Sequence, residues 1–124
     1  MEPKVLLIAT LDTKEKEAAY LKRIIEAKGV KTLVMDTGVL APPRALVPDV
    51  SREEVALAGG MPIDQLVGTG NKGQCIDVMI AGAQAVAQRL FAAGAFSGVI
   101  SFGGAQGTNI GTAVMKNLPF GVPK

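Results

Sequence analysis

Three glycines and a threonine near the end of the chain have the spacing of an anion-binding turn. The stretch 97–102 predicts a buried strand that ends at Gly103 and Gly104, and a helix is predicted over residues 107–117. Glycines let a ligand approach the backbone, and the first turn of a helix presents N–H groups that have no partner within the helix. This combination favours a phosphate site. The alternative is a tight strand-to-helix turn that binds nothing.

Residues at the ends of the other two predicted strands could face this turn. Thr10 and Thr13 follow the first strand and could donate hydroxyl hydrogen bonds to a phosphate. Asp12, between them, could bind a hydrated cation that accompanies phosphates, or it could cap the next helix. Asp36 ends the second strand, where an acid can bind ribose hydroxyls or form a turn beside Gly38.

Lys72 stands at the start of the longest predicted helix, residues 73–93. It could bind a phosphate, or residues 71–74 could serve only as a helix start. The glycine spacing matches neither the dinucleotide fingerprint nor the Walker loop, since Phe102 and Thr108 stand where those patterns require glycine. The candidate ligand-binding residues are Thr10, Asp12, Thr13, Asp36, Gly38, Lys72, Gly103, Gly104, Ala105, Gln106, Gly107 and Thr108.

Composition limits the chemistry that the chain can perform. The 124 residues include no histidine, which excludes a histidine general base, a Ser-His-Asp triad and histidine-ligated metal sites. The single cysteine, Cys75, excludes an internal disulfide and a zinc cluster, and no histidine can activate it as a nucleophile. The net charge of +2 comes without the basic stripe that nucleic-acid binding requires. We assign no catalytic residue and no metal ligands, and whether the chain is an enzyme stays open.

Apolar runs that alternate with helical patterns must position the candidate residues. Strands are predicted at residues 5–9, 32–36 and 97–102. Glu15 stands three residues after Asp12, a spacing close to that of a capping box. A clearer capping box at residues 51–54 predicts a helix over Arg52–Ala58. Residues 61–71 are predicted as a loop. Strands that alternate with helices pair in parallel through right-handed crossovers. The sequence therefore predicts a single α/β domain over residues 1–124, with a small three-layer Rossmann-like parallel sheet.

The order of the strands decides whether the polar loops meet. If the second strand lies beside the first and the third lies on its other side, the order reverses between the first and third strands, where open α/β sheets bind ligands. Residues 10–13 and 103–108 would flank that point. A sheet of three strands would expose both of its edges, so we expect either a homo-oligomer or a longer protein whose C-terminal domain is missing here.

No targeting signal is visible at the N-terminus of the sequence. The apolar run 5–9 is too short for a signal peptide, and no apolar stretch reaches the length of a membrane span. We therefore expect a cytoplasmic protein with neither a membrane nor a nucleic-acid partner.

Four blocks of the sequence resemble one known family. They are residues 9–14, 35–38 with 48–50 downstream, 71–76 with Met79 and Gly82, and 102–108 followed by 115–124. The family is the ATP-binding domain family that includes the N-terminal half of the tomato tobamovirus-resistance protein and many uncharacterised bacterial and fungal proteins. The blocks keep the family's order and spacing over nearly the whole chain.

The resemblance implies a Rossmann-type domain that binds ATP, with or without magnesium. Family members continue into more sheet and a second, barrel-like domain that this chain lacks. Lys72 stands where the family tends to have arginine, which weakens a bidentate phosphate contact there. Two other functions stay open. The chain could be the nucleotide-binding half of a two-domain enzyme whose catalytic part is absent, or a self-associating module in which the glycine turn is only packing.

Overall fold

The computed structural model describes residues 4–102, 105–116 and 118, and for residues 105–109 it describes the backbone only. Its elements, in chain order, are β1 Lys4–Ala9, α1 Leu11–Ala27, β2 Lys31–Asp36, α2 Arg52–Ala58, α3 Ile63–Gly68, α4 Lys72–Ala92, β3 Gly98–Phe102 and α5 Ala105–Lys116. The alternation of strands and helices confirms the predicted α/β class.

The three strands form one parallel sheet in the order β2-β1-β3. The parallel pairing confirms the prediction, and the order is the one on which the predicted ligand crevice depends. The outer edge of β2 is covered, because Val50 pairs with Met35 and the Asp36 N–H donates to the Val50 carbonyl at 3.0 Å. The prediction of two exposed edges is therefore wrong at β2. At β3, no strand of the described residues pairs with the outer edge.

Helices cover the two faces of the sheet as separate layers. On one face, Leu7 and Val34 of the sheet pack with Leu11 and Ala18 of α1. On the other face, a larger core joins the strands to α2, α3, α4 and α5. Its fully buried members include Leu6, Met35, Val55, Leu66, Met79, Val86 and Val114. The result is the three-layer arrangement that the sequence predicts.

Capping residues fix the starts of two helices. The Ser51 hydroxyl accepts the Glu54 N–H at 3.1 Å, and α2 occupies the range that its capping box predicts. The Asn71 side chain accepts the Gln74 N–H at 3.0 Å at the start of α4. Each cap satisfies one of the N–H groups that a helix leaves without a partner in its first turn.

Helix α3 was predicted as part of a loop, and that prediction is wrong. Pro62 lies at the N-cap of α3, where its missing N–H breaks no helical hydrogen bond. Ile63 and Leu66 of this helix are buried in the larger core. The short amphipathic segment therefore gains its stability from packing against its neighbours rather than from its own helix propensity.

Two glycines let α2 and α4 touch through their backbones. A Cβ added at Gly82 would lie 1.8 Å from the Val55 carbonyl oxygen, and one added at Gly59 would lie 2.0 Å from the Val78 carbonyl oxygen. No larger residue fits at either position without a shift of the helices. A glycine inside a helix costs about 1 kcal/mol relative to alanine, which predicts that Gly82 allows a close contact with the sheet. The close contact is present, but its partner is α2.

By length and composition alone, α4 could cross a membrane, so the prediction that no apolar stretch is long enough is wrong on that criterion; it is the one helix of the described residues that could. Core helices pass the same test. Met79, Ala83, Val86 and Ala87 of α4 are buried in the larger core, where the helix contacts α2 and α5. The helix therefore gives only weak evidence for a membrane span.

Helix α5 begins at Ala105, two residues before the predicted start at Gly107. Ile110 and Val114 are buried, as their helical spacing predicts. The glycines that precede this helix, Gly103 and Gly104, lie outside the described residues.

Candidate functional site

The carboxyl ends of the three strands finish side by side at one edge of the sheet. Ala9, the last residue of β1, lies opposite both Asp36, the last of β2, and Phe102, the last of β3. The segments that follow the three strands therefore leave the sheet at the same level. The strand order reverses between β1 and β3, so this edge has the topology of a ligand crevice.

The Asp36 carboxylate closes the N-terminus of α1. Asp36 is fully buried, and its Oδ1 accepts the Leu11 N–H at 3.1 Å and the Gly38 N–H at 2.9 Å. The N-cap residue of α1, Thr10, makes no side-chain capping bond, and the alternative in which Asp12 caps this helix is wrong. A carboxylate of the neighbouring strand occupies the positive end of the helix instead. The turn-forming interpretation of Asp36 is confirmed, and its buried side chain presents no surface to a ribose.

Burial has a strong effect on the protonation of this carboxyl group. It raises the pKa of Asp36 from its ordinary value of 3.8 to about 6. The N–H groups of Gly38 and Leu11 act in the opposite direction, whereas the negative charge of Asp12 adds to the rise and Arg52 reduces it. The second oxygen, Oδ2, is buried and has no hydrogen-bond partner among the described residues. Perturbed carboxyl groups of this kind are enriched at functional sites.

Asp12 holds the loop that follows β2. Its Oδ2 accepts the Leu40 N–H at 3.0 Å. Its Oδ1 is buried without a hydrogen-bond partner in the described part of the chain. A Cβ added at Gly38 would lie 2.6 Å from the Asp12 Cγ, so a larger residue there would displace this carboxylate. Both residues thus have structural tasks at the edge where the sequence predicts ligand contacts.

Glu15 fixes the same loop further along. Its carboxylate accepts the N–H groups of Arg44, Ala45 and Leu46 at 3.0, 2.5 and 2.7 Å. These bonds lower the pKa of Glu15, with Leu46 contributing most. The predicted capping box does not form, because Glu15 bonds to residues 29 to 31 positions away. Three successive N–H groups form an anion-binding concavity, and a carboxylate of the protein fills it.

The two threonines of the β1–α1 turn, Thr10 and Thr13, differ in their exposure to solvent. Their hydroxyl oxygens are 3.4 Å apart, within hydrogen-bond distance. Thr10 is buried at 9% exposure, whereas Thr13 is exposed. Of the two, Thr13 is the one that offers a hydroxyl to a ligand.

The predicted phosphate turn is described only in part. Gly103 and Gly104 lie outside the described residues. Because α5 begins at Ala105, helix geometry leaves the N–H groups of Ala105, Gln106 and Gly107 without a partner inside the helix. A helix over residues 107–117, as predicted, would place these groups at residues 107–109, so the first turn lies two residues earlier than predicted, and Thr108 is within the helix.

Lys72 is the first residue of α4 and is exposed. It lines a cavity with Val39 and Leu40, which follow the carboxyl end of β2. The N-terminus of α4 therefore lies beside the same edge of the sheet. The interpretation of residues 71–74 as a helix start is confirmed, and a phosphate contact for Lys72 stays a prediction.

Hydrogen bonds and packing thus join several predicted residues at the β1–β2 side of the edge. They are Thr10, Asp12, Thr13, Asp36 and Gly38. The hydrogen bonds by which the Glu15 carboxylate fixes the loop after β2 are a feature of the site that local sequence patterns do not reveal. Residues 4–102, 105–116 and 118 contain no group of three or more Cys, Asp or Glu side chains that could hold a metal ion.

Comparison with known proteins places the chain among uncharacterised bacterial sequences. A family model described as the N-terminal domain of an uncharacterised protein family, UPF0261, matches residues 3–124. A UPF0261 protein of Clostridium tetani is 39% identical over 124 residues, which make up 100% of this chain and 30% of that protein. UPF0261 proteins of Brucella suis and Rhizobium meliloti are 32% and 33% identical over 98% of this chain and 29% of their own length.

The chain therefore spans about 30% of the length of the curated relatives it matches. The matches confirm the resemblance to uncharacterised bacterial proteins and the assignment to an N-terminal domain. The relation to the tomato resistance protein and the binding of ATP stay predictions.

Proposed function

The chain belongs to the UPF0261 family, as its N-terminal domain, and we propose that this domain binds ATP or a related nucleotide at the carboxyl edge of its sheet. The observation that carries the proposal is the register of the strand ends, in which Asp36 and Phe102 finish on either side of Ala9. The reversal of strand order between β1 and β3 makes this edge the expected ligand position. The phosphates would lie on residues 103–108 and face Thr13.

The charges at this edge favour phosphates on the β3 side. Asp12 and Asp36 lie on the β1–β2 side, and Asp36 already occupies the positive end of α1. A phosphate at that position would meet two carboxylates. Helix α5 follows β3 and has no acidic residue in its first turn, so its N-terminus can attract an anion. The sugar end of the nucleotide would then point toward β2.

Magnesium would arrive with the phosphates rather than occupy a site built by the protein. Asp12 and Asp36 each bind backbone N–H groups with one oxygen and bury the other. Mg²⁺ keeps several of its waters and commonly binds through substrate phosphates together with one or two carboxylates. We therefore assign no metal ligands and no catalytic residue within this domain.

A second candidate is that the domain supplies the nucleotide to a larger enzyme. The observation in its favour is that the curated relatives are about three times as long as the matched segment, which covers 30% of the C. tetani protein. This candidate predicts nucleotide turnover only when the remaining part of such a relative is supplied.

Calorimetric titration of the 124-residue chain with MgATP tests the proposal. We expect binding by the wild type and its loss in Gly104→Val, because a side chain in the glycine turn would exclude the phosphates. Gly68→Val is the matched control, since a Cβ added at Gly68 meets no atom within 4 Å. Circular dichroism verifies that both variants fold.

Two results would contradict nucleotide binding at this turn: equal heats for the wild type and Gly104→Val, or no heat for the wild type. Either would favour the self-associating module. Light scattering would then detect a dimer or a larger assembly.

A further inference from the structure

A cavity of about 350 Å³ lies beyond the carboxyl end of β2. Its apolar lining comes from Val39 and Leu40, which follow β2, and from Val67 of α3 and Cys75 of α4, and the exposed Lys72 also lines it. Small-molecule pockets of this size are mostly apolar with a few polar groups that orient the ligand. The cavity has that composition, and it lies outside the strand-end turns that would hold phosphates.

Hydrogen bonds from two helices hold one wall of the cavity. The Arg52 guanidinium, at the start of α2, donates to the Val39 carbonyl at 3.1 Å. The Asp12 carboxylate, at the start of α1, accepts the Leu40 N–H at 3.0 Å. The wall is thus fixed from both layers of helices, and a ligand would not have to order it.

The part of the lining that belongs to α3 and α4 is also fixed by hydrogen bonds. The Cys75 Sγ donates to the Leu66 carbonyl at 3.6 Å, which joins the first turn of α4 to α3. The Thr69 hydroxyl donates to the same carbonyl at 2.7 Å and accepts the Asn71 N–H at 3.2 Å, so the turn between the two helices is closed. Both parts of the lining are therefore preorganised, which reduces the entropy lost on binding.

The rim combines exposed apolar surface with a positive charge. Leu40 is 77% exposed and Val67 is 48% exposed, and both line the cavity. Lys72 forms no ion pair with another described residue, and it stands at the positive end of a 21-residue helix. A flat apolar group that carries an anion would cover both side chains and neutralise the lysine.

We propose that this cavity holds the base of the nucleotide, with the sugar and phosphates leading past Lys72 to the carboxyl edge of the sheet. The proposal rests on the proposed function, because it assumes that the ligand of that edge is a nucleotide. It adds that the domain recognises the nucleoside part as well as the phosphates. Free tripolyphosphate would then bind more weakly than ATP.

The single cysteine of the chain reports on the cavity without a mutation. We expect saturating adenosine or ATP to slow the alkylation of Cys75 by iodoacetamide about tenfold, measured by mass spectrometry, because the base would cover the thiol. Tripolyphosphate should leave the rate unchanged. Equal rates with and without adenosine would overturn the base pocket, as would equal protection by tripolyphosphate.

A cavity-filling substitution gives a second, independent test. Val67→Trp should weaken ATP binding about tenfold or more in calorimetry, because the indole would occupy the space of the base, and should leave tripolyphosphate binding unchanged. Val47→Trp is the control, since Val47 is 83% exposed and lies away from the cavity lining. Unchanged ATP affinity in Val67→Trp would overturn the proposal.

The two proposals fail in different ways. Heat from both ATP and tripolyphosphate without protection of Cys75 would overturn the base pocket and leave the phosphate site standing. Protection by adenosine without heat from tripolyphosphate would support the pocket and overturn the phosphate site. Absence of heat from any nucleotide, together with unprotected Cys75, would overturn both.

Discussion

Replacing Asp36 with asparagine tests whether the buried carboxylate at the sheet edge lowers the stability of the domain. Asparagine has nearly the same shape, and its Oδ1 can accept the Leu11 and Gly38 N–H groups that Asp36 accepts at 3.1 and 2.9 Å. Its amide carries no charge, so both the burial penalty of the ionised form and the repulsion from Asp12 disappear. The substitution therefore isolates the effect of the charge.

The expected magnitude follows from the pKa of Asp36. Burial raises that pKa from 3.8 to about 6, so the folded state binds the proton more tightly than the unfolded state. Since a tenfold difference in proton affinity corresponds to about 1.4 kcal/mol, ionisation of Asp36 lowers the free energy of unfolding by about 3 kcal/mol. The stabilisation by the proton is complete below pH 3.8 and is lost as the pH rises to about 6.

Urea unfolding followed by circular dichroism measures this effect. Between about pH 4 and about pH 7, the free energy of unfolding of Asp36→Asn should rise relative to that of the wild type by about 2–3 kcal/mol. Asp77→Asn, on an exposed position of α4, controls for the substitution itself. A difference between wild type and Asp36→Asn that stays constant over this range would refute the reasoning, because Asp36 would then ionise as readily in the folded as in the unfolded state.

Two further predictions concern contacts that position the edge. Gly82→Ala should lower the free energy of unfolding by about 1–3 kcal/mol, because its Cβ would overlap a carbonyl of α2, whereas Gly68→Ala, in open space, should raise it slightly. Equal effects in urea unfolding would contradict the helix contact. Glu15→Ala should free the loop after β2 and accelerate trypsin cleavage after Arg44, whereas Glu17→Ala, on an exposed position of α1, should not. If both variants were cleaved at the wild-type rate, the Glu15 bonds would not be what holds the loop.

The elements of the fold that depend on short-range physics could be predicted from the sequence. The Ser51 capping box located α2, and the apolar runs located all three strands within one or two residues. Helix α3 was missed because Pro62 and Gly68 indicate breaks in a helix, although a short helix can begin next to one and end at the other. What stabilises α3 is burial of Ile63 and Leu66, which depends on neighbours that no local pattern identifies.

The sequence could predict where the candidate site residues lie, but not which groups they form hydrogen bonds with. The strand order and register place Thr10, Asp12 and Asp36 at the predicted edge. The bonds that these acids make, however, join residues that are distant in the sequence. Asp36 binds a residue 25 positions away and Asp12 one 28 positions away, so a carboxylate that looks like a local cap or a ligand group turns out to connect two segments of backbone.

The contact between α2 and α4 in the core determines where the cavity wall lies at the surface. Gly82 presses against α2, and α2 begins at Arg52, which holds the Val39 carbonyl on the cavity wall. A side chain at Gly82 would push α2 outward and carry that wall with it. Random mutagenesis screened for impaired nucleotide binding should therefore recover Gly82 variants alongside those of the rim, although this glycine has no side chain with which to touch a nucleotide.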